Sequence, residues 1–126
     1  MANSNAFSVQ LNNILDEYSK EVARATNNSI DVVAKEAVQK LKNTSPKKTG
    51  AYAKSWGLSR KRGHNRINEV VVRNKDHYQL THLLENGHVI INGRGEYGRA
   101  PAHKHIQPVE QWANSELPLE IERELK

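Results

Sequence analysis

Cysteine is absent from the 126-residue chain, which excludes disulfides, thiolate zinc centres and cysteine nucleophiles and fits a reducing compartment. Aromatic residues make up only 6% and hydrophobic residues 37%, so the core is lean and stabilisation by partners is expected. No apolar run approaches the roughly 20 residues that a membrane-crossing helix needs. The opening MANSNAFSVQ has neither the basic nor the apolar region of a secretory leader. A soluble protein made in the cytoplasm is the expectation, folded as one domain over residues 1–126 with residues 1–7 lacking structure.

Charge of one sign is scarce in places. Residues 42–75 hold ten basic groups and a single acid, Glu69. Residues 1–41 hold four basic and five acidic groups, residues 76–109 three of each, and residues 110–126 two basic and five acidic. Such polarity serves solubility, an anionic partner for the middle, or copies of the chain meeting head to tail.

Apolar and small residues recur at spacings of three and four through Val9 or Leu11, Leu15, Tyr18, Val22, Ala25, Ser29, Val32 or Val33, Ala37 and Leu41. They predict a long amphipathic helix with a core-facing stripe. Asp16–Lys20, Asp31–Lys35 and Glu36–Lys40 support it as acid-first i,i+4 pairs. Asn27-Asn28-Ser29 is its weak point, and Thr44-Ser45-Pro46 ends it, because a residue before proline leaves the α region.

Residues 51–60 fit a strand or a short helical turn. A basic turn, Arg60 to Arg66, then leads into the β-branched strand Ile67–Asn74, which predicts an antiparallel hairpin. Tyr78–Asn86 reads as a short helix, Gly87 as its C-cap and His88–Ile91 as a strand. Residues 92–100 carry three glycines and no apolar period, which predicts a mobile loop. Pro108 suits the first turn of a last helix bearing Val109, Trp112, Ala113, Leu117, Ile121 and Leu125, and Pro118 should kink or divide that helix. The class is α+β: a long N-terminal and a C-terminal helix packed on a small antiparallel sheet with a basic hairpin.

No constellation for catalysis emerges. His82, Glu85, His88, His103 and His105 are metal-ligating types, but HLLENGH is not HExxH, and surface or interface histidine is the plainer reading. Glu69, Asp76, Glu85 and Glu96 are scattered carboxylates. GHNRIN lacks the partners of a histidine–asparagine nuclease, and GRGEYG lacks the lysine of a phosphate loop. No catalytic residue, metal or cofactor is expected. The basic run, interleaved with Tyr52 and Trp56, has the composition of a phosphate-contacting face. A nucleic-acid-binding module without sequence-specific readout is therefore the alternative function.

The ordered set Ser45-Pro46, Thr49-Gly50, Ser55-Trp56, Tyr78, Leu84-Glu85-Asn86-Gly87-His88 and Pro101 through Pro108 resembles the tail-component family of long-tailed bacteriophages. Those are small neck or tail-completion proteins that join head to tail, and the resemblance covers about residues 8 to 125. The KRGHNR turn and Pro118 depart from the family's pattern.

The resemblance implies a non-enzymatic protein of the virion, assembled in the host cytoplasm. It would form a homo-oligomeric ring of about six or twelve copies at the head–tail junction. Its partners would be copies of itself, other connector and tail proteins, and DNA passing through the channel, with no membrane. Pro46, Thr49, Gly50, Trp56, Glu85, Gly87, His88, Pro101 and Pro108 would form structural joints. Lys47, Lys48, Lys54, Arg60, Lys61, Arg62, Arg66, Arg94 and Arg99 would face a neighbour or DNA.

Overall fold

One helix, α1 (Ala2–Thr44), is the spine against which the rest of the chain is laid, about 64 Å long at 1.5 Å per residue. The computed structural model describes residues 2–47, 50–92 and 95–126, with the backbone alone for residues 2–9, 88–92, 95–97 and 99. The helix begins at Ala2, so residues 2–7 of the stretch expected to lack structure are helical, and Met1 lies outside the described residues; nothing in the first turns breaks propagation. It also passes through Asn27-Asn28-Ser29 without a break. Ser29 returns its hydroxyl to the Ala25 carbonyl at 2.7 Å, and the Asn27 side chain is engaged by another element described below.

A single helical turn, α2 (Ala51–Lys54), follows Gly50 and leads into β1 (Trp56–Arg62). This strand pairs antiparallel with β2 (Asn68–Asn74), Trp56 opposite Asn74 and Leu58 opposite Val72. The hairpin is the expected one. Its inner face presents Trp56, Leu58 and Val72 to α1, and the outer face carries the cross-strand pair Lys61–Glu69 at 3.4 Å. Next comes α3 (Leu80–Asn86), ended by Gly87 as predicted, and then β3 (His88–Asn92).

The glycine-rich stretch departs from expectation. Gly95–Ala100 forms a strand, β4, paired antiparallel with β3. The register slips between Ile90 and Ile91, leaving one extra residue on β4, and Gly98 at φ 145° absorbs the bulge. A ladder is satisfied by backbone groups, so the missing apolar period did not prevent it.

The last helix, α4 (Ile106–Leu125), runs back antiparallel along α1: Val109 packs with Ala37 and Leu41, while Glu124 lies 3.3 Å from Arg24. Pro108 sits in its first turn as expected. Pro118 lies inside the helix without dividing it. Its ring removes one backbone donor, and the flanking packed turns hold the helix on either side.

The core lies where α1, α2, β1 and α4 meet: Ala37, Val38, Leu41, Tyr52, Trp56 and Val109. Small side chains at Ala23, Ala25, Ala34 and Ala37 let neighbours approach the spine closely. Burying one large side chain in such a cluster contributes about 1.5–3 kcal/mol. With so few of them, polar contacts acquire weight.

Candidate functional site

Where α1 stops, the chain must turn from helix to sheet, and the residues at that corner form a buried polar joint. Ser45 closes the helix with its N–H on the Leu41 carbonyl at 2.9 Å, and its hydroxyl accepts the Trp56 indole N–H at 2.8 Å. Gly50 takes φ 82° and ψ −15°, a left-handed conformation that glycine adopts without cost, and so launches α2. That single turn sets Tyr52 and Trp56 side by side, their rings edge to face at 5.7 Å.

His105 completes the aromatic triangle, 5.6 Å from Tyr52 and 6.3 Å from Trp56. It is only 1% exposed. Its Nδ1 lies 2.7 Å from the His103 carbonyl, which can only accept, so Nδ1 carries a proton. In the neutral ring Nε2 then accepts the Tyr52 hydroxyl, 2.8 Å away. Burial first, and then the charge of Glu85, push the Tyr52 hydroxyl up to about 12, which keeps its proton in place for that bond.

Glu85 reaches from α3 to the beginning of α4. One carboxylate oxygen accepts the N–H groups of His105 and Ile106 at 2.8 and 2.9 Å, and the other accepts that of Gln107 at 2.9 Å. A helix start has unpaired N–H groups and a positive dipole end, and His105, the N-cap residue, supplies no cap from its own side chain. The cap comes instead from 20 residues earlier in the chain. Burial works to raise the Glu85 pKa, but the three backbone donors and the His105 ring outweigh it and hold the carboxyl below its usual range.

Asn74, 2% exposed at the end of β2, ties the hairpin to the same centre. It donates to the Tyr52 carbonyl at 2.8 Å and accepts the His77 N–H at 2.9 Å. Gly87 makes the neighbouring corner with φ 75° and ψ 173°. A Cβ there would stand 2.7 Å from the Ala100 carbonyl oxygen and 3.0 Å from the Ala102 nitrogen.

The joint therefore gathers Gly50, Trp56, Glu85 and Gly87 of the predicted set. Pro46 is half-buried beside Ser45, while Pro101 and Pro108 lie exposed. Thr49, Lys48 and Arg94 lie outside the described residues, as do the side chains of His88 and Arg99. Sequence reasoning missed Tyr52, Asn74 and His105 as joint members. Tyr52, four residues before Trp56, was the one local signal. The Tyr–His–Glu chain looks like a proton relay, yet every polar atom in it has an internal partner and the ring lies out of reach of solvent. Among the described residues no three metal-ligating side chains converge.

The basic set divides in two. Arg60 pairs with Asp31 at 2.9 Å, Lys61 with Glu69 at 3.4 Å, and Arg66 with Asp16 at 3.1 Å. These fasten the hairpin internally. Arg62 is exposed at the end of β1, without an ion pair among the described residues. Lys47 and Lys54, with Lys42, border a groove of about 290 Å³ beside Gly50 and have no acidic partner among the described residues.

The family model described as "Bacteriophage HK97-gp10, putative tail-component" matches residues 10–87, more than half of the chain, and the chain belongs to that family. The match spans most of α1, the hairpin and α3, and ends at Gly87. No curated protein and no solved structure matches the chain.

Proposed function

We propose that this chain is a non-catalytic structural part of a tailed-phage virion, forming a homo-oligomeric ring at the head–tail junction between connector and tail proteins. The observation that carries the reading is family membership across α1, the hairpin and α3. The joint suits such a part. Its titratable groups are consumed in capping a helix and fixing a corner, which gives a rigid bracket and no reactive centre.

A lysate of phage carrying a nonsense mutation in this gene should accumulate DNA-filled heads and separate tails, and purified wild-type virions should contain the protein at the neck. Infectious, fully joined particles lacking the protein would overturn the reading. The free cations Lys42, Lys47 and Lys54 favour a second reading, contact with nucleic acid. That reading requires salt-sensitive DNA binding that Lys47→Ala with Lys54→Ala weakens.

A further inference from the structure

The cations at the root of the first hairpin differ from those nearer its tip. Arg60, Lys61 and Arg66 each meet a carboxylate, whereas Arg73 and Lys75 are exposed and have no acidic partner among the described residues. Strand alternation puts Gly57 and Arg73 on the outer face, because Trp56, Leu58 and Val72 face α1, and the two stand opposite each other. The φ of Gly57 is not positive, so the backbone does not demand glycine there. Space does: a Cβ would stand 2.5 Å from the Lys75 Cε and 3.0 Å from its Nζ. The missing side chain lets Lys75 lie across β1 and bring its ammonium beside Arg73. Two like charges held together without an acid repel, and an anion between them removes the repulsion. The acid next in the chain, Asp76, accepts the Ser55 hydroxyl at 3.3 Å instead.

Arg73 and Lys75 line one basin of about 440 Å³ with Asn74 and Tyr78, a volume in the range of small-molecule sites. The Asn74 side chain is already bonded to Tyr52 and His77, so it contributes the floor and no free polar group. Tyr78 is 64% exposed, and its ring meets no other ring among the described residues. Its backbone is nonetheless fixed, since its carbonyl accepts the Thr81 N–H at 3.2 Å and the Thr81 hydroxyl at 2.8 Å. An aromatic face therefore stands in solvent on a pinned backbone, next to two unpaired cations.

We propose that this basin takes one nucleotide of a single-stranded nucleic acid, its phosphate on Arg73 and Lys75 and its base against Tyr78. A guanidinium forks two donors to a phosphate, an ammonium adds a point charge, and an exposed ring accepts the face of any base. An acidic peptide would satisfy the cations and leave the ring unused. A base inside a duplex is already stacked on both sides, so the ring favours a single strand. The Lys75 N–H bonds the Ser55 carbonyl at 2.9 Å, one residue past Lys54, so the basin adjoins the cationic groove beside Gly50. The site is independent of the ring and adds a second set of side chains to the nucleic-acid reading.

The test is fluorescence anisotropy with a labelled oligothymidylate of about 12 nucleotides, read across a range of salt concentrations. Tyr78→Leu should weaken binding about tenfold without altering the slope of log Kd against log salt, while Tyr78→Phe binds as wild type does. Arg73→Gln with Lys75→Gln should lower that slope by about 0.7, the share of one phosphate on a single strand. All three side chains are exposed, so melting temperatures should stay close to that of wild type. An unchanged Kd in Tyr78→Leu, or equal binding to a duplex of the same length, overturns the proposal. Displacement by polyglutamate as readily as by unlabelled oligothymidylate makes the basin an acidic-protein site and overturns it too. If only Lys47→Ala with Lys54→Ala loses binding, this site falls and nucleic-acid contact at the groove beside Gly50 stands. No binding by wild type at low salt overturns both.

Discussion

The carboxylate of Glu85 accepts the backbone N–H of His105 at 2.8 Å, so a residue at the end of α3 caps the beginning of α4. Local sequence gives no hint of this, because the capped helix begins 20 residues downstream. Its consequence is cooperativity: α3 cannot leave without uncovering three N–H groups at the head of α4. Glu85→Gln keeps one oxygen but turns an amide NH₂ toward a donor, so at least one bond is lost in a buried place. A destabilisation of about 1–3 kcal/mol is expected, read as a lower urea midpoint with unchanged m-value.

The same contact makes the fold acid-sensitive. Glu85 titrates lower in the folded state than its ordinary value of 4.5, so the unfolded chain binds more protons in the interval between the two. The stabilisation is complete above that ordinary value and is lost as pH falls through the folded one. Asp16, held down by Lys20 and then Arg66, and Glu21, held down by Arg24, act in the same direction. Urea midpoints from neutral pH to about pH 3 should therefore fall less steeply in Glu85→Gln than in wild type. Equal slopes would contradict the ionised cap.

Tyr52→Phe tests the other side of His105. The change removes the hydroxyl proton that Nε2 accepts at 2.8 Å, in a place water does not enter. Moving the ring proton to Nε2 does not help, because Nδ1 then faces the His103 carbonyl with no proton. A loss of about 1–3 kcal/mol is expected in chemical denaturation. A neutral result would mean that the Tyr52–His105 bond is not formed in solution.

The two joint glycines should separate. Gly50 has room for a Cβ, the nearest atom being the flexible Lys54 Cε at 3.9 Å, so alanine there costs the left-handed backbone alone, about 1 kcal/mol. At Gly87 the backbone lies in a region essentially reserved for glycine, and a Cβ would strike the Ala100 carbonyl. Gly87→Ala should cost more than Gly50→Ala in melting temperature. The reverse order would show that the α3–β3 corner is not held as described.

These positions also mark what could be read from sequence. Gly50, Gly87, the end of α1 at Ser45 and the β1–β2 hairpin depend on local backbone chemistry, and they stand where turn and strand signals placed them. Asn74 and His105 carry no such signal. Each is buried only because it meets Tyr52, and in AHKHI the histidine looked like a surface or metal-ligating residue. Strand β4 was hidden for a different reason, since backbone pairing with β3 required no apolar pattern of its own. In the hairpin, composition did not reveal that Arg60, Lys61 and Arg66 each face an acid of the same chain.

Asn27 is the sharpest instance, a poor helix former in mid-helix that the hairpin uses. Its side-chain NH₂ donates to the Arg66 carbonyl at 2.8 Å, and its side-chain oxygen accepts the Asn68 N–H at 2.9 Å. Just ahead of these two groups the chain turns through Asn65 at φ 55° and Arg66 at φ 68°, left-handed conformations that side chains resist. The clamp holds that turn against α1, about midway along the spine. Asn27→Ala improves local helix propensity by up to roughly 0.7 kcal/mol yet removes both bonds. Net stability should therefore change little, while amide exchange at residues 64–68 speeds up and exchange in α1 near residue 27 does not. Unchanged exchange at the turn would mean that strand pairing alone holds the hairpin tip, and that the Arg66–Asp16 pair merely decorates it.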